Sequence, residues 1–111
     1  MTSKTEPPDR GDLVWLDFSP QAGSEQAGRR PGLVISPKLY NQRTGLARIC
    51  PITSRAKGYP FEVIIPHGLR IQGAILCDHI KSLDWRARRA IYADSLPASV
   101  LDEVTARILP L

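Results

Sequence analysis

The chain has 111 residues, of which 42% are hydrophobic and 23% are charged, and its formal net charge is +4. These proportions are typical of one small globular domain and exclude a mostly disordered chain. The apolar runs are too short to span a bilayer, and the polar first ten residues lack the apolar stretch of a secretory signal. We therefore expect a single cytoplasmic domain over residues 1–111, with no membrane association.

Short apolar segments with strand patterns follow one another after a flexible N-terminal arm of residues 1–9. A long exposed loop is expected at residues 20–31, a turn-rich stretch at 37–45 and a second polar loop at 53–60. Pro51 is expected to end or bulge its strand, because proline cannot donate to the ladder. The predicted strands cover residues 13–18, 32–36, 46–52, 61–65, 73–80 and 90–93.

The C-terminal segment has a different period. From Pro97 onwards, Val100, Leu101, Val104 and Ile108 are spaced as on one face of a helix, which predicts an amphipathic helix over residues 97–110. Strands as short and closely spaced as those before it favour a small barrel over a sandwich. The predicted fold class is mainly β with α: a small SH3-like β-barrel with a C-terminal amphipathic helix.

Two cysteines, Cys50 and Cys77, lie within apolar segments. No histidine stands in ligand spacing to them, so the pattern does not indicate a zinc site. We expect two buried free thiols in a reducing compartment and no metal or other cofactor.

Positive charge is concentrated in two stretches. Residues 29–57 hold seven cations and no acid, and residues 81–89 hold four cations against Asp84. Uncompensated clusters of this kind favour a polyanionic partner such as nucleic acid, although a solvated basic surface has the same pattern.

The first cluster suited to phosphate chemistry is the predicted loop before residue 31. It places Glu25 five residues before Arg30, and Pro31 holds Arg30 where the loop meets the sheet. A guanidinium at such a junction can bind phosphate. The alternative is a structural ion pair of Arg30 with Asp17 or Glu25.

The second cluster follows the third predicted strand. Thr53 and Ser54 supply hydroxyl donors next to the cations Arg55 and Lys57, a combination that suits a phosphate. The alternative is that these hydroxyls only cap the local backbone, as they often do in turns.

The third cluster is Asp78-His79. Neighbours on an extended strand point to opposite faces, so we do not expect these two side chains to bond each other. A two-histidine ribonuclease mechanism with His67 is possible on composition, but nothing in the sequence brings the pair together.

Aromatic side chains beside cations can stack on unpaired bases. Tyr59 and Trp85 have basic neighbours and are candidates for this role. Trp15 and Phe61 are expected to fill the core.

Taken in order, these motifs resemble the MazF family of bacterial toxins (the MazF/PemK group), which are mRNA-cleaving endoribonucleases. The resemblance extends from Asp9 to the C-terminal helix with consistent spacing. Its segments are GDLVWLDF (11–18), GSEQAG with the following RP (23–31), SP (36–37), YN (40–41), TG (44–45), KGYPFEV (57–63), Asp78, KS (81–82) and WRAR (85–88).

The resemblance implies a homodimer with the barrel fold that cuts single-stranded RNA without a metal. It places the catalytic residues at Arg30 and Thr53, with Glu25 at a loop position implicated in activity. It also implies a cognate antitoxin whose acidic, disordered tail occupies the RNA surface, and DNA binding together with that antitoxin. The RNA-binding residues predicted from the clusters and the resemblance together are Arg29, Ser54, Arg55, Lys57, Tyr59, Asp78, His79, Lys81 and Arg88.

Three positions depart from the family pattern. Relatives can carry histidine where this chain has Arg29, and a glutamine is familiar where it has His79. The segment 66–73 also differs in sequence and in length. These departures concern base preference and proton transfer rather than the class of enzyme.

The expected reaction is attack of the 2′-OH on its own 3′-phosphate, which yields a 2′,3′-cyclic phosphate and a 5′-OH. Arg30 and Thr53 would stabilise the added negative charge, and Glu25 is a candidate base. The alternatives are a non-catalytic nucleic-acid-binding barrel and a topoisomerase-poisoning toxin of the same fold.

Overall fold

The computed structural model describes residues 6–18 and 28–111. They form seven short strands and two helices, and the longer helix follows the last strand. In chain order the elements are β1 (Asp12–Asp17), β2 (Arg29–Val34), α1 (Lys38–Thr44), β3 (Leu46–Thr53), β4 (Glu62–Ile64), β5 (Ala74–Leu76), β6 (Lys81–Asp84), β7 (Ile91–Ser95) and α2 (Ala98–Ile108).

β3 organises the sheet because, at eight residues, it is long enough to have two partners along one edge. β2 pairs with one edge of β3. β6 and β5 pair one after the other with the opposite edge. The order of the main path is β4-β5-β3-β2-β1-β7, and every pairing is antiparallel. The predicted mainly β architecture with a C-terminal helix is confirmed. No pairing among the described strands joins β4 to β7, so the sheet is open rather than a closed barrel.

Both faces of this sheet are covered. On β1, Leu13 faces one hydrophobic cluster, whereas Val14 and Leu16 face a second. α2 packs over the first cluster through the fully buried Val104, and Trp85 fills the second. Burial on both faces explains why several strands read as uninterrupted apolar runs.

α1 lies where only turns were expected. It starts after Pro37 and ends at Gly45, whose positive φ of 75° suits a helix C-cap. Its one buried residue, Asn41, donates to the carbonyls of Pro8 (2.8 Å) and Ser36 (3.0 Å). A seven-residue helix anchored by a buried amide has no apolar periodicity, and for this reason the pattern did not reveal it.

Other differences concern boundaries. β2 begins at Arg29, so the loop predicted to reach residue 31 ends earlier. β3 continues through Pro51, because β5 pairs with the two residues that follow it. The strand expected over 73–80 ends at Leu76 in a turn, and β6, which follows it, was not predicted.

The N-terminal segment is held more firmly than expected as far as it is described. Pro8 is buried, and the Asp9 carboxylate accepts from the backbone N–H of Lys38 at 2.9 Å. Residues 6–9 are therefore part of the folded body and not a flexible arm.

Cys50 and Cys77 are buried and free, as predicted. Burial raises the pKa of Cys50 to about 12 and that of Cys77 to about 11, so both are protonated, unreactive thiols at neutral pH. In the described part of the chain, no helix is long and apolar enough to cross a membrane.

Candidate functional site

The register of β2 and β3 brings together the two residues predicted to be catalytic. Gly32 lies opposite Pro51 in this antiparallel pair. Arg30 lies two residues before Gly32 on β2 and Thr53 lies two residues after Pro51 on β3, so both lie beyond the same end of this pairing. Gly32 allows the close approach, because a Cβ at this position would lie 2.6 Å from Cγ2 of Ile49.

Arg30 and Thr53 line one cleft of about 610 Å³. Four described cations line it, namely Arg30, Arg55, Arg70 and Lys81, and none of the described lining residues is acidic. The predicted residues Ser54, Arg55 and Lys81 are therefore at the cleft with Arg30 and Thr53. The cleft has the charge required for a polyanion.

The Thr53 hydroxyl is oriented by its own turn. Its oxygen accepts a hydrogen bond from the backbone N–H of Arg55 at 3.1 Å, and the side chain is half-buried. The local cap considered from the sequence is thus present. It does not exclude a role in binding, because a hydroxyl that accepts through its oxygen can still donate its proton.

Two of the predicted RNA-binding arginines lie elsewhere. Arg29 forms an ion pair with Asp17 at 3.3 Å and donates to the carbonyl of Trp15 at 3.2 Å. Arg88 donates to the backbone carbonyls of Asp17 and Phe18. Both guanidinium groups fasten strand ends together and do not line the cleft. Glu25, the candidate base, lies outside the described residues.

Lys57 and Tyr59 lie in the turn before β4, away from the cleft lining. The Glu62 carboxylate accepts from the backbone N–H groups of Lys57 and Gly58, both at 2.9 Å, and so holds this turn. The Lys57 ammonium is 6.0 Å from the ring centre of Tyr59, which is 60% exposed. These two side chains form a separate exposed cationic and aromatic surface.

Asp78 and His79 do approach each other, contrary to the prediction. His79 Nε2 is 3.6 Å from Asp78 Oδ1. They occupy a turn after β5 rather than an extended strand, so the alternation of side chains does not apply to them. Both side chains are about half exposed and lie outside the cleft lining.

The two tryptophans occupy positions opposite to those expected. Trp85 is 1% exposed and donates from Nε1 to the carbonyl of Asn41 at 2.8 Å, so it cannot stack on a base. Trp15 is 38% exposed and lines the cleft. The expectation for Phe61 is confirmed, since it packs against the core.

The sequence interpretation did not select Arg70 or Gln72, which also line the cleft. Arg70 falls between the two basic stretches and has no cationic neighbour in the chain, so a search for charge runs passes over it. The alternation of polar Arg70, apolar Ile71 and polar Gln72 was the one available signal.

Comparison with known proteins agrees with the resemblance. The family model described as PemK-like, MazF-like toxin of type II toxin-antitoxin system matches residues 9–111. The chain is 46% identical over 101 residues to the endoribonuclease toxin MazF of Escherichia coli K12, covering 91% of this chain and 90% of that protein.

Solved structures agree with this result. MazF from Deinococcus radiodurans superposes with a TM-score of 0.84 at 56% identity, covering 95% of this chain and 98% of that one. A MazE-MazF structure from the same organism gives a TM-score of 0.82 at 53% identity, covering 92% of this chain and 91% of that one. The chain therefore belongs to the PemK-like, MazF-like family of toxins of type II toxin-antitoxin systems.

Proposed function

We propose that this protein is a toxin that cuts single-stranded mRNA as a sequence-specific, metal-independent endoribonuclease and thereby stops translation and growth. The observation that carries the proposal is the convergence of Arg30 and Thr53 on one cationic cleft. Relatives that are named endoribonucleases, at up to 46% identity, support it.

The cleavage step follows from what these side chains can supply. The 2′-oxygen attacks the adjacent phosphorus, a P–O2′ bond forms and the P–O5′ bond breaks. One proton leaves the 2′-OH and one is delivered to the departing 5′-oxygen, which gives a 2′,3′-cyclic phosphate and a 5′-OH. Glu25 remains the candidate base that takes up the first proton.

The cleft would lower the activation barrier mainly by stabilising the negative charge that builds up on the phosphate. The pentacoordinate intermediate carries more negative charge on its phosphate oxygens than the starting diester does. Arg30 offers those oxygens the directed donors of a planar, cationic guanidinium, and Thr53 can add one more. Donors that are already in place need little rearrangement as the charge develops.

The test uses purified protein and a long single-stranded RNA in EDTA, with the product ends mapped. Arg30→Ala and Thr53→Ala are each expected to slow cleavage about 10²- to 10³-fold. Arg43→Ala, on the exposed surface of α1 outside the cleft, is the matched control and should cut at the normal rate.

A single deoxyribose at the mapped cut site should abolish cleavage there, because the nucleophile is gone. Cutting at that position regardless, or unchanged rates in Arg30→Ala, would contradict the mechanism. If wild-type protein bound RNA without cutting it, the non-catalytic binding module would replace the nuclease.

The assembly is part of the same proposal. We infer a homodimer in the cytoplasm, neutralised by an antitoxin whose acidic tail occupies the cationic cleft and with which the toxin binds DNA. A MazE-MazF structure from a relative supports an antitoxin partner.

A second, largely apolar groove of about 440 Å³ lies at the end of α2 and includes Leu109, which is 77% exposed. We assign the dimer contact to this groove. We also propose that this open sheet is a variant of the SH3-like barrel and that the chain forms one toxin domain.

A further inference from the structure

We propose that Arg70 binds a phosphate of the RNA strand and that the loop of residues 66–73 holds the Arg70 side chain at the cleft. The inference rests on the proposed nuclease function, and it adds a substrate-binding residue from a segment outside both basic stretches of the sequence.

The side chain of Arg70 points outward because its neighbour Ile71 is buried. Ile71 is 2% exposed and belongs to the main hydrophobic cluster, whereas Arg70 and Gln72 on either side of it are exposed. All three line the cleft that contains Arg30 and Thr53. A buried anchor between two exposed residues holds the backbone at the cleft wall while the Arg70 side chain extends into solvent.

Several hydrogen bonds hold the loop in shape. Gln72 Nε2 donates to the carbonyls of Leu69 (3.0 Å) and Pro66 (3.2 Å), which bridges the loop internally. The Ile65 N–H donates to the carbonyl of Gly73 at 2.9 Å and closes its base. A loop fixed in this way loses little entropy when a ligand binds.

The backbone of Arg70 is itself tied to the sheet. Its N–H donates to Oδ2 of Asp94, on β7, at 2.9 Å. This hydrogen bond, together with one from the Ser95 N–H, holds the pKa of Asp94 below its usual value. Asp94 is therefore a charged acceptor at neutral pH and acts as a positioning residue for Arg70.

The Arg70 guanidinium is available for a ligand, unlike those of Arg29 and Arg88. With the residues that the structure describes, it makes no hydrogen bond and no ion pair within 4 Å. The described lining of the cleft carries three further cations and no acid, and the Asp94 carboxylate, behind the loop, acts on the Arg70 charge without a direct ion pair. A planar guanidinium in such surroundings suits a phosphate, which it can bind with two parallel hydrogen bonds.

The test measures RNA binding and cleavage separately in the full-length protein. Binding of a fully 2′-O-methylated single-stranded RNA, which lacks the attacking hydroxyl, is followed by fluorescence anisotropy at several salt concentrations. Arg70→Ala is expected to weaken binding about 3- to 10-fold and to lower the salt slope by about 0.7, the value for one lost single-strand phosphate contact. Arg70→Lys should keep the slope, since it keeps the charge.

Cleavage of unmodified RNA gives the second readout. Arg70→Ala should raise KM about as much as it weakens binding, with kcat nearly unchanged, and Asp94→Asn should raise KM by a smaller factor. Arg43→Ala, which removes a cation outside the cleft, is the control for net charge.

If Arg70→Ala and Arg43→Ala had the same KM and the same salt slope, the role proposed for Arg70 would be wrong, whereas the proposed nuclease function would stand. A wild-type protein that binds RNA with the expected Arg70 dependence but cuts nothing would overturn the nuclease alone. If wild-type protein did not bind RNA at all, both would fail.

Discussion

The Asp17 carboxylate and the Arg29 guanidinium lie 3.3 Å apart at facing positions of β1 and β2. Arg89 approaches the same carboxylate at 3.0 Å from the turn before β7. Arg30, the next residue of β2, lines the cleft. Asp17 thus fixes the strand ends from which the proposed catalytic arginine extends, through a carboxylate that is 16% exposed and guanidinium groups that remain in contact with solvent.

Replacing Asp17 by asparagine should destabilise the protein at pH 7 by up to about 1 kcal/mol, because Arg29 loses its anionic acceptor in an ion pair that solvent partly screens. The hydrogen bond from Arg89, followed by that from Arg29, holds the pKa of Asp17 below its usual value. The stabilisation is therefore complete above the unfolded-state pKa of about 3.9 and is lost as the pH falls through the lower folded-state pKa.

Urea unfolding at a series of pH values measures this difference. The gap between wild type and Asp17→Asn should be constant from about pH 6 to 7 and should shrink below about pH 4. Asp102→Asn, on the exposed side of α2, is the control and should change stability by less than about 0.5 kcal/mol. A gap of the same size at pH 7 and in strong acid would contradict the ion-pair origin.

Gly73 controls the position of Thr53. It has a φ of +126°, and a Cβ at this position would collide with the carbonyl oxygen of Thr53. Gly73→Ala should therefore displace the Thr53 backbone and lower kcat about 100-fold, since misplacement by about 1 Å can have this effect. The measurement is single-turnover RNA cleavage at a temperature where circular dichroism shows the variant to be folded.

Gly68→Ala is the matched control for Gly73→Ala. Its φ is also positive, at +97°, but no atom lies within 4 Å of the added Cβ. It should lose about 1 kcal/mol of stability through backbone strain and keep its kcat. Equal loss of kcat in the two variants would show that strain in the loop, rather than contact with Thr53, is responsible.

Trp15 is expected to stack on an RNA base, because its ring is 38% exposed at the cleft. Base stacking on an aromatic ring contributes about 1–3 kcal/mol, so Trp15→Ala should weaken RNA binding at least fivefold, whereas Trp15→Phe should retain most of the affinity. Ile91→Ala removes the residue that faces Trp15 on β7 but does not line the cleft, and it serves as control. Anisotropy titrations that show equal affinity for the two alanine variants would contradict the prediction.

Asn41 should be among the residues most sensitive to substitution for stability. Its side-chain amide donates to the backbone carbonyls of Pro8 and Ser36, and its Oδ1 accepts from the Ser36 hydroxyl. Asn41→Ala leaves buried partners without hydrogen bonds and should destabilise the protein by about 3 kcal/mol in urea unfolding. Gln42→Ala, exposed on the same helix, should be nearly neutral, and similar losses in both would refute the role of the buried amide.

Elements with a simple hydrophobic period could be predicted from the sequence. β1 and β4 show an alternating pattern, α2 shows a helical one, and β3 shows an apolar run that suits burial on both faces. β6 buries Leu83 and exposes its other three residues, and α1 buries an amide rather than an apolar stripe. In both elements stability comes from contacts with distant segments, which a local pattern does not record.

By itself the sequence determined the residue types available for phosphate chemistry, the amphipathic C-terminal helix and the family to which the chain belongs. Tertiary structure decided which cations reach the cleft. Arg29 and Arg30 are neighbours of the same type, yet one is held by Asp17 and the other lines the cleft, because successive side chains of a strand point to opposite faces. Arg70 joins Arg30 at the cleft from a loop forty positions further along the chain, and the packing of Ile71 into the core places it there.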